Sequence, residues 1–237
     1  MAYTTFSTDN ADYVLQLGNH LTENKQVDIF AGIDALVIET GLNDCLQDVV
    51  QANHPQMNLP ISYCMDHNIP IFRTDVKTTA AGFFREIIAY SIEFPISIPL
   101  LFVEYILSKN KDKKMNDFMT KVTADYDFLF QTPIGEGRNS INARKIEEFV
   151  VPFIDEELKR YDLGRKAQIG LIFGAGHTGL KADLQSKKRR DFTLWNWRNC
   201  NFGKYAGFEK EDLNLVEAAV YNGEKWLAIT WPTNLFD

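Results

Sequence analysis

The stretch GLIFGAGHTGL, residues 170–180, joins an apolar run to a glycine-rich turn that ends in a histidine. Its apolar part belongs to the run Ala167–Phe173, whose length and composition are typical of a buried strand. The turn Gly174–His177 follows directly, and the pattern after it predicts a helix over 178–186. A strand, a tight turn and a helix in this order form the repeating unit of α/β folds.

Three earlier apolar runs have the same character: Tyr13–Leu17, Ala35–Ile38 and Ile69–Phe72. Helical patterns follow or separate them over about 22–30, 43–52 and 61–67. Parallel neighbours in a sheet need a crossover between them, so strands that alternate with helices predict a largely parallel sheet.

The centre of the chain has a helical pattern. Between about 79 and 161, apolar residues recur every three or four positions, which predicts a helical insertion. Its last helix is expected over Ser140–Tyr161, with Asn139 or Ser140 as the N-cap. Pro152 is expected to kink this helix, because proline removes one hydrogen bond of the helical ladder.

The clearest local signal lies near the C-terminus. Asn222-Gly223 separates the alternating runs Leu215–Tyr221 and Lys225–Trp231, which predicts a hairpin with both turn residues at positive φ. We therefore expect one α/β domain over 1–237. It has a mostly parallel central sheet with flanking helices, a helical insertion in the middle and a C-terminal antiparallel hairpin.

Composition narrows the classes of partner and the compartment. The 237 residues carry a net charge of −7, which argues against nucleic acid as a partner because phosphate binding needs clustered positive charge. Cys45, Cys64 and Cys200 are widely spaced and form no CxxC pair, so neither a disulfide framework nor a structural zinc cluster is expected. We expect a reduced, cytoplasmic protein.

The apolar segment 87–107 approaches the length of a membrane span but contains Glu93, Pro95, Pro99 and Glu104. These four residues favour two buried helices that are broken near Glu93. The other interpretation is a helical pair that contacts a membrane or forms a homo-oligomer.

Four of the apolar runs end in a side chain of catalytic type: His20, Glu39, Asp75 and His177. Ligands bind open α/β sheets at the carboxyl ends of their strands, so these four groups are expected to share one crevice. Imidazole and carboxylate ligands suit manganese, cobalt or zinc, and the pattern therefore predicts a divalent metal site. Such a metal would lower the pKa of a bound water and polarise a carbonyl.

Two neighbouring features leave alternatives open. Arg138 precedes the last central helix, where its fork would hold Glu39, Asp75 or a substrate oxyanion, or would pair with Glu136 at the surface. The turn Gly174–His177 resembles a phosphate-binding turn, but it has neither the third glycine of a dinucleotide fingerprint nor a following GK[ST].

Five stretches, taken in order, resemble the TraB/PrgY family, within the wider group of TIKI proteases, erythromycin esterase and ChaN. They are YVLQLGNH (Tyr13–His20), DALVIETG (Asp34–Gly41), IPIFRTDV (Ile69–Val76), EGRNSINARKI (Glu136–Ile146) and GLIFGAGHTGL (Gly170–Leu180). The last stretch is the most specific, because it matches the family's second GxxH motif. The first stretch has one residue between Gly18 and His20 where the family has two.

The resemblance implies a metal-dependent hydrolase that acts on a peptide or ester bond. In that case His20 and His177 are metal ligands, with Asp75 as a further ligand or a partner of Arg138. Glu39 is a ligand or the general base, and Arg138 positions a carboxylate or stabilises an oxyanion. The alternative is a non-catalytic protein that binds a peptide or a metal on the same scaffold, which the shortened first motif favours.

Overall fold

The computed structural model describes residues 2–18, 28–39, 46–51, 58–82, 84, 133–174, 177, 179–185 and 207–236. His20, Cys45, Cys200 and the segment 87–107 lie outside the described residues. So does most of the helix expected over 22–30, whose last three residues, Asp28–Phe30, form a 3₁₀ turn.

Seven strands form one sheet: β1 (Ala2–Ser7), β2 (Ala11–Gly18), β3 (Ala35–Ile38), β4 (Ile71–Arg73), β5 (Ala167–Gly174), β6 (Leu215–Tyr221) and β7 (Trp226–Pro232). Their order across the sheet is β1-β2-β5-β3-β4-β6-β7. The four strands in the centre of the sheet, from β2 to β4, are parallel, while β1 and the β6–β7 pair are antiparallel. The predicted α/β class, with a mostly parallel sheet and a C-terminal hairpin, is confirmed.

Strand β1 has no counterpart among the expected strands. It pairs along its whole length with β2, from Ala2 opposite Leu17 to Ser7 opposite Asp12. Phe6 stacks on Tyr13 with ring centroids 5.0 Å apart. Only one side of this edge strand contributes to the core, so its sequence alternates with polar residues and lacks the continuous apolar run of the central strands.

The helices of the described residues include α1 (Leu46–Gln51), α2 (Asn58–Asp66), α3 (Pro133–Lys145), α4 (Val151–Arg160), α5 (Leu180–Gln185) and α6 (Lys210–Leu213). They cover both faces of the sheet. Ile146, Ile154 and Leu184 pack on one face, and Leu46 and Cys64 pack on the other. A sheet that is buried on both faces explains the uninterrupted apolar runs that revealed its strands.

The helix expected from Ser140 begins earlier, at Pro133. Asn139 and Ser140 are therefore interior residues, and the prediction that one of them is the N-cap is wrong. Gly137 precedes the expected start of the helix but lies inside α3, where its backbone packs against Phe208, whose ring atoms lie 2.8 Å from where a Cβ would be. Close packing, rather than a turn, accounts for this glycine.

A π-helical segment, Ile146–Val150, joins α3 to α4 just before Pro152. Pro152 occupies the first turn of α4, where its missing N–H is tolerated. The helical run thus continues through the proline, and the irregularity in its ladder is the π segment itself.

The predicted hairpin is present, but its turn differs from the expected one. Four residues, 222–225, separate β6 from β7, and only Gly223 has a positive φ, of 94°. The Oδ1 atom of Asn222 accepts hydrogen bonds from the backbone N–H groups of Glu224 and Lys225, at 3.0 and 2.9 Å. This side-chain cap replaces the second positive φ of a two-residue turn.

Two expectations from composition concern Cys64 and membrane spans. Cys64 is a free, fully buried thiol on α2. Burial raises its pKa to about 12, so it is not a reactive nucleophile. Among the described residues, no helix combines the length and the apolar character that crossing a bilayer requires.

Candidate functional site

Three of the predicted site residues follow the carboxyl ends of strands that are neighbours in the sheet. Glu39 follows β3, Asp75 follows β4 and His177 follows β5. Glu39 is fixed by its backbone N–H, which donates to the carbonyl of Ile172 at 2.9 Å. The sheet order therefore brings together three groups that lie as many as 138 positions apart in the chain.

Arg138 on α3 joins two of these groups. Its Nε donates to Oδ1 of Asp75 at 3.0 Å, and its Nη2 donates both to Oδ2 of Asp75 and to Oε1 of Glu39, the latter at 2.9 Å. The side chain is 17% exposed, whereas Glu39 and Asp75 are 8% and 4% exposed. The sequence left open which carboxylate Arg138 would hold, and in the structure it holds both.

The charge of Arg138 is secured by its surroundings. Burial alone would lower the pKa of its guanidinium, but the charges and hydrogen bonds of Asp75 and then of Glu39 raise that pKa above its ordinary value. Arg138 therefore stays charged. Its charge-assisted hydrogen bonds fix the positions of the Asp75 and Glu39 carboxylates.

His177 completes the cluster from the other side of Glu39. Its Nε2 lies 3.1 Å from Oε1 of Glu39, and its Nδ1 lies 2.6 Å from Oδ1 of Asn139. The other oxygen of Glu39, Oε2, accepts the backbone N–H of Gly174 at 2.5 Å. Glu39 is thus contacted by a cation, an imidazole and a backbone donor.

The contacts of His177 restrict where its protons can be. When Nδ1 donates to Asn139, a neutral ring would turn the lone pair of Nε2 towards the carboxylate of Glu39. Two acceptors cannot face each other at 3.1 Å without a proton or another cation between them. With the Asn139 amide oriented this way, a proton or a metal ion between Nε2 of His177 and Oε1 of Glu39 would satisfy both atoms.

A further set of polar residues supports Asp75. The Nδ2 atom of Asn142 lies 3.5 Å from Oδ1 of Asp75, and Oδ1 of Asn142 accepts the hydroxyl of Thr74 at 2.8 Å. Asn142 and Thr74 are completely buried. Arg138 and Asn142 stand one helical turn apart on α3, so a single helix face meets the end of β4.

The predicted metal can be tested against these donors. Nε2 of His177 and Oε1 of Glu39 are close enough to bind one ion, since metal–ligand distances for these atoms are about 2.0–2.2 Å. Asn139 supplies the outer partner that a metal-bound histidine needs on its other ring nitrogen. Both oxygens of Asp75 instead bind Arg138, which makes Asp75 a partner of that arginine in this structure.

Within the part of the chain that the structure describes, no group of three His, Cys, Asp or Glu side chains is arranged to hold a metal ion. His177 and Glu39 fit as two ligands of one ion. The third predicted ligand, His20, lies outside the described residues.

Sequence reasoning missed Asn139 and Asn142 as parts of the site. The spacing of Arg138 and Asn142, four residues apart, is the signal that would have grouped them. That signal was hidden because the helix was expected to begin at Ser140, beyond Arg138. Asn139 was considered only as a cap, whereas its amide contacts His177.

No protein-family model matches the chain, and neither the curated proteins nor the solved structures include a significant match to it. The resemblance to the TraB/PrgY family therefore stays a prediction that rests on the quoted motifs. What the site does must be argued from its own geometry.

Proposed function

We propose that this protein is a hydrolase of a peptide or ester bond, with its catalytic centre formed by Glu39, His177 and Arg138. The observation that carries the proposal is the 3.1 Å approach of Nε2 of His177 to Oε1 of Glu39, beside the guanidinium of Arg138. Hydrolysis of a carbonyl compound is helped by a general base, by a group that gives a proton to the leaving group and by a cation that stabilises the oxyanion. All three stand where open α/β sheets bind their ligands.

In the proposed reaction, Glu39 takes a proton from the water that attacks the substrate carbonyl. Glu39 then passes this proton through Nε2 of His177 to the departing amine or alkoxide, and Asn139 holds the ring in place at Nδ1. The negative charge that develops on the carbonyl oxygen is stabilised by Arg138. Its Nη1 has no hydrogen-bond acceptor among the described residues, so it is the nitrogen assigned to this role.

In the metal-dependent form of the proposal, Nε2 of His177 and Oε1 of Glu39 would bind an ion instead of relaying this proton. His177 and Glu39 would hold a manganese, cobalt or zinc ion together with His20, and Asp75 would join them only after leaving Arg138. When bound, such an ion lowers the pKa of the attacking water and polarises the carbonyl. A small peptide or ester is the proposed substrate, and a cytoplasmic location is proposed from the scattered cysteines.

One observation favours the alternative function, a non-catalytic protein that binds a peptide or a metal. The Nε and Nη2 groups of Arg138 are already bound to Asp75 and Glu39, which leaves less of the guanidinium for a developing oxyanion. Saturable binding of a peptide, with no product after long incubation, would distinguish this function from hydrolysis.

The test compares the wild-type protein with His177→Ala. Both are purified and loaded with manganese, cobalt or zinc, and bound metal is measured after the excess is removed. Hydrolysis is then followed on a panel of short peptides and nitrophenyl esters. His67→Ala is the matched control, since His67 is exposed just after α2, where its ring hydrogen-bonds and stacks on Tyr63.

We expect hydrolysis by wild-type protein and by His67→Ala, and its loss in His177→Ala. Near-stoichiometric metal that is lost only in His177→Ala would support the metal-dependent form. Hydrolysis that is unchanged in a folded His177→Ala protein would overturn the assignment of the site.

A further inference from the structure

Asp212, on the short helix α6, contacts the segment that follows β4 and the end of helix α3. Its Oδ2 accepts the backbone N–H of Lys77 at 2.9 Å and lies 3.6 Å from Nη2 of Arg73. Its backbone carbonyl accepts Nζ of Lys145 at 2.7 Å. The side chain of Asp212 is 15% exposed, and that of Arg73 is 5% exposed.

The two contacts of the Asp212 carboxylate lie on either side of Asp75. Arg73 is two residues before Asp75 and Lys77 is two residues after it. The Asp212 carboxylate thus contacts the segment 73–77 at both ends, with Asp75 at its midpoint. It shares these ends with Glu217, which lies 3.2 Å from Nη1 of Arg73, and with Glu209, whose backbone N–H donates to the carbonyl of Lys77 at 3.0 Å. Residues 74–77 lie between Arg73, the last paired residue of β4, and the bridge of Thr78 with Phe208, so the sheet ladder does not pair Asp75 itself.

Lys145 connects this arrangement to the helix that faces it. Arg138, Asn142 and Lys145 are spaced four and three residues apart on α3 and therefore share one helix face. The first two contact Asp75, and the third contacts the backbone of Asp212. Lys145 is completely buried, so this hydrogen bond is shielded from competing water.

We propose that Asp212 is a positioning residue, which holds the segment 73–77 so that the Asp75 carboxylate meets the Arg138 guanidinium. Lys145 fixes Asp212 to α3 and so keeps the two sides of the ion pair in register. Asp212 acts on the ion pair indirectly, through the segment 73–77 and through Lys145 on α3. The consequence of Asp212 for catalysis rests on the proposed function, but the effect of Asp212 on the Asp75–Arg138 ion pair does not.

The experiment follows the Nε–H proton of Arg138, which points at Oδ1 of Asp75. Its resonance is recorded by ¹⁵N NMR on arginine-labelled protein and assigned by its disappearance in Arg138→Lys. We compare its hydrogen-exchange rate in the wild type and in Asp212→Ala. Glu211→Ala is the matched control, since Glu211 is the exposed neighbouring acid on the same helix.

In Asp212→Ala we expect exchange of the Arg138 Nε–H to speed up by about tenfold or more, and in Glu211→Ala we expect it to stay at the wild-type rate. Backbone amides of β5 report a general loss of stability. In Asp212→Ala, their exchange should accelerate less than that of the Arg138 Nε–H. A folded Asp212→Ala protein with wild-type exchange at Arg138 overturns the proposal.

Asp212→Asn keeps the test valid if the alanine variant does not fold. It preserves the size of the side chain but removes the charge that faces Arg73, so a smaller acceleration in the same direction is expected. Unchanged exchange in this variant would equally overturn the proposal. If hydrolysis is never found, the exchange result still decides the role of Asp212. If hydrolysis is found but exchange is unchanged, only the role of Asp212 is lost.

Discussion

Asn139 and His177 are joined at 2.6 Å through the amide Oδ1 and the imidazole Nδ1, and both residues are buried. This contact fixes the plane of the imidazole and directs its second nitrogen at Glu39, 3.1 Å away. Among the described residues, the Nδ2 of Asn139 has no hydrogen-bond partner. The Oδ1 contact with His177 is therefore the side-chain contact by which Asn139 takes part in the site.

Removing the Asn139 amide should therefore impair the site more than the fold. In Asn139→Ala we expect catalytic activity, or metal affinity where metal is bound, to fall by about 10- to 100-fold because the ring of His177 loses its fixed orientation. Hydrolysis kinetics and metal titration measure the loss, and circular dichroism checks the fold. Ser140→Ala, one residue away on α3, is the control. Equal activity of the two variants would contradict the assigned role of Asn139.

The stability of the protein should depend on pH through Lys145. Burial lowers the pKa of this lysine from 10.5 to about 8, although Asp212 acts in the opposite direction. Between these two values the unfolded chain binds a proton that the folded protein does not, so raising the pH stabilises the fold. The stabilisation is complete above pH 10.5 and is lost as the pH falls through about 8.

Lys145→Met has no such proton to bind. From pH 7 to pH 11, the free energy of unfolding of the wild type should therefore rise relative to that of Lys145→Met by up to about 3 kcal/mol. Urea denaturation at each pH measures the difference, and groups that titrate in both proteins cancel. Parallel pH profiles for the two proteins would show that folding does not lower the pKa of Lys145. Lys159→Met, at an exposed position on α4, controls for the removal of a positive charge.

Gly137 and Phe208 should show coupled effects on stability. A Cβ at position 137 would lie 2.8 Å from two atoms of the Phe208 ring, an overlap that costs about 1–3 kcal/mol to relieve. In an otherwise unchanged helix, alanine is favoured over glycine by about 1 kcal/mol. Gly137→Ala should thus destabilise the wild type but stabilise a Phe208→Ala background. A double-mutant cycle from urea denaturation gives the coupling, and additive effects would rule out the contact.

Two glycines with open space around them provide a matched pair. Gly223 has a φ of 94°, whereas Gly164 has no such positive φ, and at neither position would an added Cβ meet another atom within 4 Å. Gly223→Ala should cost about 1 kcal/mol because alanine is strained at this φ, while Gly164→Ala should be neutral or stabilise by up to about 1 kcal/mol. Thermal unfolding of the two variants measures both effects. A loss of stability in Gly164→Ala as large as that in Gly223→Ala would contradict the backbone explanation.

The central strands were predictable because both faces of the sheet are buried. Runs such as Ala35–Ile38 are apolar throughout, and each ends in a polar residue that the sequence displays openly. Glu39, Asp75 and His177 could be grouped for this reason alone. The order of the strands could not be predicted, because no local pattern indicates that β5 enters between β2 and β3.

The parts of the site that lie on α3 were harder to predict for a physical reason. Glycines in sequence usually mark a turn, yet Gly137 lies inside a helix because Phe208, 71 positions later, packs on its backbone. Tertiary packing overrode the local preference, which moved the start of the helix and hid the face shared by Arg138 and Asn142.

The position of β5 in the sheet also has a consequence for synthesis. A ribosome that has released the chain as far as residue 160 has delivered β2 and β3, but not the strand that lies between them. At that stage their inner edges have no hydrogen-bonding partner, and Oε2 of Glu39 has no Gly174 N–H to accept. The site therefore assembles late, after most of the chain is made. A nascent chain that stalls before β5 presents two open strand edges, which are the kind of surface that chaperones protect from aggregation.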